Sequence, residues 1–262
     1  MSSRFSRPAF AVASDRAFTK LNNVALAIHR GFWLGMLDRA SLLEAGDIAY
    51  GTWDRFLDED YNRSGLADWE RRAVTEHFPG SGRVLVPFAG GGREVIALAN
   101  LGYDVVGFDS SRDLIEVATG LVPQHAKSVS IEHAEVDVIP PLEGEFDAVL
   151  LGWGGYTHIQ GRSARVDFLL SVKAVLKPDA PLLISFLLRD SGDRRFALTS
   201  RVATSLRRLR RSEETVEPGD VVAGTFDHYF TWPEVDEELS EAGFEIVKSQ
   251  STPYAHALCR AI

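Results

Sequence analysis

The 262-residue chain predicts an α/β fold: a doubly wound, mostly parallel seven-stranded sheet ending in an antiparallel hairpin, preceded by a helical N-terminal extension. Three observations predict it. From residue 83 onward, short near-continuous apolar runs recur, as in strands buried on both faces of a parallel sheet. Helical segments separate these runs, and strand–helix–strand repetition implies right-handed crossovers. Two more strand-like runs close the chain around a short turn, a spacing that pairs them antiparallel.

Residues 1–82 lack the alternation. Leu21, Val24, Ile28 and Phe32 fit one helix face, and Trp53, Phe56 and Tyr61 fall in a later helical or loop stretch. This part reads as a helical extension expected to lie over the open end of the sheet. The first strand is Arg83–Phe88 (RVLVPF), followed by glycines and a helix that ends at Gly102, a good residue just past a helix C-terminus. The second strand is Asp104–Asp109 (DVVGFD); the next helix opens at Ser110 or Ser111, both competent N-caps, with Asp113 in its first turn. Phe146–Trp153 (FDAVLLGW) is a further strand, and a helix runs from about Ser163 to Lys177, stopping before Pro178. Pro181–Leu188 is the last parallel run, and residues 190–225 form an excursion. Thr231 and Glu234 then make a capping box for a helix that ends at Gly243, before the hairpin Phe244–Ser249 and Ala255–Ile262.

With 45% hydrophobic and 25% charged residues, the composition is that of an ordinary globular chain long enough to bury a core without staples. The single cysteine, Cys259, excludes an internal disulfide, a CxxC pair and a cysteine-rich zinc site. No apolar run approaches the ~18–20 residues needed to span a bilayer, and the opening residues lack the apolar core of a secretory signal, so no membrane and a cytoplasmic location are expected. A net charge of −9 argues against nucleic acid held by phosphate neutralisation. Residues 194–211 break that balance with seven arginines and no acid, leaving −16 (−9 minus +7) on the rest of the chain. They read as a solvated helix face or, alternatively, a patch facing an acidic substrate or partner. Nothing in the sequence points to an oligomer.

The chemistry centres on Val84–Glu94 (VLVPFAGGGRE). Glycines at a strand-to-helix turn let a ligand approach the backbone, and the helix N-terminus offers unpaired N–H groups. This is no phosphate loop, since no Gly-Lys-Ser/Thr follows. Nor is it a full dinucleotide fingerprint, because Val95 stands at the third glycine position. Asp109 ends the next strand, 17 residues after Gly92, where it can accept hydrogen bonds from both hydroxyls of a ribose.

Over roughly residues 80–262 these features resemble the class I S-adenosylmethionine-dependent methyltransferases. The resemblance implies a Rossmann-like methyltransferase domain over 83–262, with S-adenosyl-L-methionine as cofactor and S-adenosyl-L-homocysteine as product. Phe88, Ala89, Gly90 and Gly92 would wrap the cofactor, and Asp109 with Ser110 would meet its ribose. In Ala134–Pro140 (AEVDVIP), Asp137 takes the acidic adenine-facing position, with Val138 beside it and Glu135 as rival. Gly152 and Trp153 open the segment GWGGYTHI, which stands between the cofactor and the transferred methyl. Val175-Leu176-Lys177-Pro178 is similar to the family's turn before the fifth strand. Val86 stands where the family's first-strand acid is usual, Phe88 replaces a glycine, and Asp179-Ala180 replace two more. Pro87 is similar to the VLVP opening of thiopurine-type small-molecule methyltransferases.

Methyl transfer is an in-line displacement, so alignment supplies ~7–11 kcal/mol, and a base adds about 10²- to 10⁴-fold where the acceptor must lose a proton. Candidate bases are His158, His228 and Tyr229. Tyr50, Trp53 and Tyr156, with Trp153, are candidate pocket walls, a ring face near a sulfonium gaining ~0.5–2 kcal/mol. No metal ligand set is apparent. The expected partner is a small-molecule methyl acceptor, methylated at O, N, S or C. No Asn/Asp-Pro-Pro-Tyr/Phe motif follows the fourth strand. Two alternatives remain at this point: an NAD-dependent oxidoreductase using Gly90, Gly92 and Asp109, and a non-catalytic cofactor-binding scaffold.

Overall fold

A computed structural model describes residues 7–122 and 128–262. The extension is helical: α1 (Arg7–Met36), α2 (Arg39–Thr52), the short α3 (Asp54–Leu57) and α4 (Glu59–Arg63), and α5 (Asp68–His77). Asp38 caps α2 by accepting from the Ser41 N–H at 2.9 Å. The α/β body follows with β1 (Arg83–Pro87), α6 (Arg93–Asn100), β2 (Asp104–Asp109), α7 (Arg112–Leu121), β3 (Val129–His133) and β4 (Ala148–Leu150). A 3-10 turn (Gly155–His158) and α8 (Arg162–Val175) lead to β5 (Pro181–Ser185). Then come β6 (Leu187–Leu188), α9 (Arg194–Arg210), β7 (Asp220–Ala223), β8 (Thr225–Phe230), α10 (Trp232–Glu241), β9 (Phe244–Gln250) and β10 (His256–Ala261).

The main sheet has seven strands in the order β3-β2-β1-β4-β5-β10-β9. Strands β1 to β5 run parallel, while β10 lies antiparallel to both β5 and β9, with Cys259 opposite Leu182. The predicted class therefore holds, hairpin included. Central strands are buried on both faces: Val84, Leu85 and Val86 of β1, and Ala148, Val149 and Leu150 of β4, are fully enclosed. Each such aliphatic side chain contributes ~1.5–3 kcal/mol by leaving water. The fourth run shrinks to three strand residues, because Phe146 makes only an isolated bridge to Leu176. Order reverses between β1 and β4, and ligands of open α/β sheets bind outside the carboxyl ends of the strands at such a switch.

The excursion expected at residues 190–225 is built from α9 and β7. Strands β6, β8 and β7 form a second, three-stranded sheet, and α9 packs along α1. Gly31 and Gly35 allow this, since a Cβ on Gly31 would lie 2.6 Å from the Thr199 carbonyl oxygen and one on Gly35 2.8 Å from Leu206 Cβ. Two of the seven arginines have structural work. Arg207 donates from Nη2 to the Leu34 carbonyl at 3.1 Å, and Arg210 from Nη1 to the Gly35 carbonyl at 3.0 Å, capping the C-terminus of α1. Neither a plain solvated face nor an open basic patch describes them. Leu21, Val24, Ile28 and Phe32 point to solvent, and the adjoining face, with Ala27 and Leu34, is the buried one.

Candidate functional site

Strand β1 ends on Pro87, and the loop after it coils through three left-handed residues: Phe88 at φ 59°, Gly90 at 52° and Gly92 at 90°. The glycines adopt this freely. Phe88 does so at a cost of roughly 1–2 kcal/mol, offset by packing: its ring lies 5.4 Å from Phe168 and fills the space a Cβ on Gly155 would occupy at 2.2 Å. Phe88 thus takes the left-handed conformation for which a glycine is usual. Gly152 donates its N–H to Pro87 O at 2.8 Å and leaves no room for a side chain, since a Cβ there would sit 1.9 Å from Phe88 O. It seats the loop and does not line the cavity.

Asp109 ties the loop down. Oδ2 accepts from the Gly90 N–H at 2.8 Å and Oδ1 from the Ser111 N–H at 2.9 Å. Burial raises its carboxyl above the ordinary range, opposed by the Ser111 and Gly90 hydrogen bonds. Each oxygen keeps a second lone pair. A cavity opens over this point, walled by Phe88, Ala89, Gly90, Asp109, Ser110 and Trp153 of the body and by Tyr50, Phe56, Tyr61 and Asn62 of the extension. The extension meets the carboxyl end of the sheet at this cavity through α2 to α4 and not α1.

Three features of this cavity were not read from the sequence. Gly91 presses on the extension, where a Cβ would lie 2.4 Å from both Asn62 Nδ2 and the Phe56 carbonyl oxygen. Asn62 is buried, and its Oδ1 has no hydrogen-bond partner among the described residues. Arg93 and Glu94 also line the wall. Arg93 pairs with the buried Glu70 at 2.7 and 2.8 Å and also with Glu94. Burial pushes the Glu94 carboxyl up to about 7, against the pull of the Arg93 guanidinium.

The 3-10 turn sorts the aromatic candidates. It sends His158 toward Tyr50, whose hydroxyl lies 2.7 Å from His158 Nε2. Burial raises the Tyr50 phenol well above its ordinary value, keeping it protonated. His158 Nδ1 faces the Phe226 carbonyl at 3.0 Å and Asp227 Oδ1 at 3.3 Å. Because Nδ1 faces two acceptors, its hydrogen sits there, and Nε2 accepts from Tyr50. Tyr156, two residues earlier, turns inward: it is fully buried, donates to Glu238 at 2.6 Å and stacks on Phe230. It is a core residue and not a pocket wall. Trp53 packs behind Tyr50 at 5.0 Å without reaching the cavity.

Neither His228 nor Tyr229 reaches His158 or the cavity. Buried His228 is bonded through Nδ1 to Asp220 at 2.7 Å, and Tyr229 packs on Phe196 at 5.1 Å in the cleft between α1 and α9. Strand alternation explains His228, which faces away from the side that Asp227 turns toward His158; Tyr229 shares the face of Asp227 but lies one pleat further along β8, against Phe196. Among the described residues Glu217, Asp220 and His228 form the one cluster with metal-ligand spacing. Arg165 already occupies Glu217 at 2.7 Å.

Asp137 is drawn into an ion pair with Arg39 at the start of α2, and Val138 is nearly half exposed. The residues of that segment that line a cavity are Glu135 and Val136, in a second hollow beside the first that shares Tyr50 and Ser110 with it and adds His158 and Asp47. Burial, with Glu135 nearby, raises the Asp47 carboxyl.

Residues 84–179 match the family model described as a methyltransferase domain. YqeM of Bacillus subtilis (strain 168), provisionally named a methyltransferase, is 29% identical over 136 residues, which are 52% of this chain and 54% of that protein. The chain thus spans about half the length of this curated relative. Among solved structures, a SAM-dependent methyltransferase from Methanosarcina mazei superposes with a TM-score of 0.57 at 19% identity, over 76% of this chain and 99% of that one. The CcbJ methyltransferase of Streptomyces caelestis gives 0.56 at 15% identity, over 82% and 95%. An amino pentose methyltransferase from Micromonospora echinaspora, solved with SAM bound, gives 0.52 at 16% identity, over 84% and 90%. At these identities the structures share the fold.

Proposed function

We propose that this chain, whose residues 84–179 match the methyltransferase domain model, is a class I S-adenosylmethionine-dependent methyltransferase that methylates a small molecule at an atom reached through the cavity between the glycine loop and the helical extension. The observation that carries the reading is the meeting of two devices in one place. A cofactor-type loop anchored on Asp109 faces Tyr50 across the cavity, and Tyr50 is hydrogen-bonded to His158, with Asp227 3.3 Å behind that imidazole.

The residues present fit S-adenosylmethionine. Asp109 has acceptor capacity left for ribose hydroxyls, and the orphaned Asn62 Oδ1 is a ready acceptor for a ligand N–H or O–H. Glu94 supplies a buried carboxylate on the wall where Val86 offers none, suited to the ammonium of the methionine moiety. Glu135 takes the adenine-side position in place of Asp137. When bound, the cofactor supplies an electrophilic methyl on a sulfonium.

Everything else falls to the chain's own side chains. The loop and Trp153 hold one reactant, and the aromatic wall of Tyr50, Phe56 and Tyr61 excludes water and holds the other. Alignment of this kind is worth ~7–11 kcal/mol. An acceptor O–H or N–H beside Tyr50 passes its proton to Tyr50 Oη as Tyr50 gives its own to His158 Nε2. Asp227 stabilises the resulting imidazolium from the Nδ1 side. Such a relay contributes about 10²- to 10⁴-fold. A small acceptor suits a site enclosed by the extension on a chain of charge −9, which repels bulk nucleic acid.

Calorimetry with S-adenosylhomocysteine and, separately, NAD tests the reading. Micromolar binding of S-adenosylhomocysteine without NAD is expected. Binding of NAD alone transfers the site to hydride chemistry, and binding of neither leaves the loop a structural turn in a scaffold.

A further inference from the structure

Helix α1 has two apolar faces, and only one of them is used. Ala27, Gly31, Leu34 and Gly35 are buried against α9. Beside that face and beyond its N-terminal end, Phe18, Leu21, Val24, Ile28, Phe32, Trp33 and Met36 stand between 37 and 68% exposed, with Ala25 exposed among them. At typical residue areas this leaves on the order of 700 Å² of apolar side chain in water. That is more than the few hundred Å² usual on a monomer and close to the ~800 Å² one partner contributes to a stable interface.

The pattern of the face says what fits it. Phe18, Leu21, Ala25, Ile28 and Phe32 follow one another at steps of three, four, three and four residues. That 3.5-residue period is the seam of two helices packed at a shallow left-handed angle, and a sheet edge or an irregular peptide does not match it. Its neighbour α9 does not fill it: α9 spends Thr199, Ala203 and Arg207 on the other face of α1 and shows Arg201, Ser205 and Arg208 to solvent. The helix with the matching seam is α1 itself. We propose that the exposed face of α1 is the interface with a second copy of this chain, joined as a two-fold dimer with Ala25, the small residue midway along the seam, at the point of closest approach.

Light scattering on the full chain tests this. Wild type should elute at twice 28.9 kDa at micromolar concentration, and Leu21→Asp/Ile28→Asp at 28.9 kDa. The double variant should keep its circular dichroism and its affinity for S-adenosylhomocysteine, because both side chains are at the surface. Ala25→Cys should form a disulfide between copies under mild oxidation, against a wild type whose lone Cys259 is buried. A monomeric wild type overturns the proposal, as does a dimer that survives the double substitution. A wild-type monomer that floats with phosphatidylserine vesicles also overturns it and assigns the stripe to a lipid surface.

Discussion

Asp109 does two jobs with one carboxylate: it fixes the loop through Gly90 and Ser111 and keeps lone pairs for a ligand. A hydrogen bond to a charged group is worth about 1.5–3 kcal/mol, so Asp109→Ala should weaken S-adenosylhomocysteine binding roughly tenfold or more in calorimetry; unchanged affinity removes it from the site. Glu94 gives a pH signature. Its folded value is about 7 against an ordinary 4.5. Between these values the folded chain holds a proton the unfolded chain has released, so the stability this group gives below pH 4.5 is lost as pH rises through 7. A ligand ammonium favours the ionised form, so affinity should climb from pH 5 to about 7.5, and Glu94→Gln should flatten the curve. For the relay, His158→Ala is expected to lower kcat by about 10²- to 10⁴-fold while affinity for S-adenosylhomocysteine stays close to wild type. Asp227→Asn should fall between the two. Asp109 was legible because a strand-terminal acid at that spacing has few other uses. Asp227 was not, since no spacing in the sequence says which face of β8 turns toward residue 158.

Among elements, the parallel strands and the capped helices could be read directly, because burial on both faces writes continuous apolar runs and caps write local polar signatures. The box at α10 forms as expected, with Thr231 N–H donating to Glu234 at 2.6 Å. What escaped is long-range pairing of polar groups. The arginines of α9 look like solvated charge until Leu34 and Gly35 are known to end a helix within reach. The same holds for Arg165, which donates to Glu238 of α10 at 2.7 Å and to Glu217 at 2.7 Å, both from inside the core. With Tyr156 it clamps the 3-10 turn that presents His158. Removing one partner of a buried ion pair costs about 3–5 kcal/mol, so Arg165→Leu should lower the melting temperature markedly in calorimetric scans. Retention of the wild-type melting temperature would sink the clamp.

Across the whole molecule, the extension and the excursion prove to be one unit: α1 lies on α9, and Phe226 from β8 joins Leu34 and Leu42 in a common cluster. That unit reaches the body at the cavity, so ligand binding and its stability are linked. S-adenosylhomocysteine at a hundred times its dissociation constant should stabilise the fold by about 2.7 kcal/mol, seen as a raised melting temperature that Asp109→Ala abolishes. The contact at Gly91, where the extension rests directly on the glycine loop, sets a clock as well as a shape. Tyr50, Phe56 and Asn62 roof part of the cavity, so the residence time of a ligand beneath them is expected to follow the opening rate of the extension as well as the ligand's own contacts. Association should accordingly fall well below the diffusional ceiling, and a bulkier residue at position 91 should speed both entry and escape.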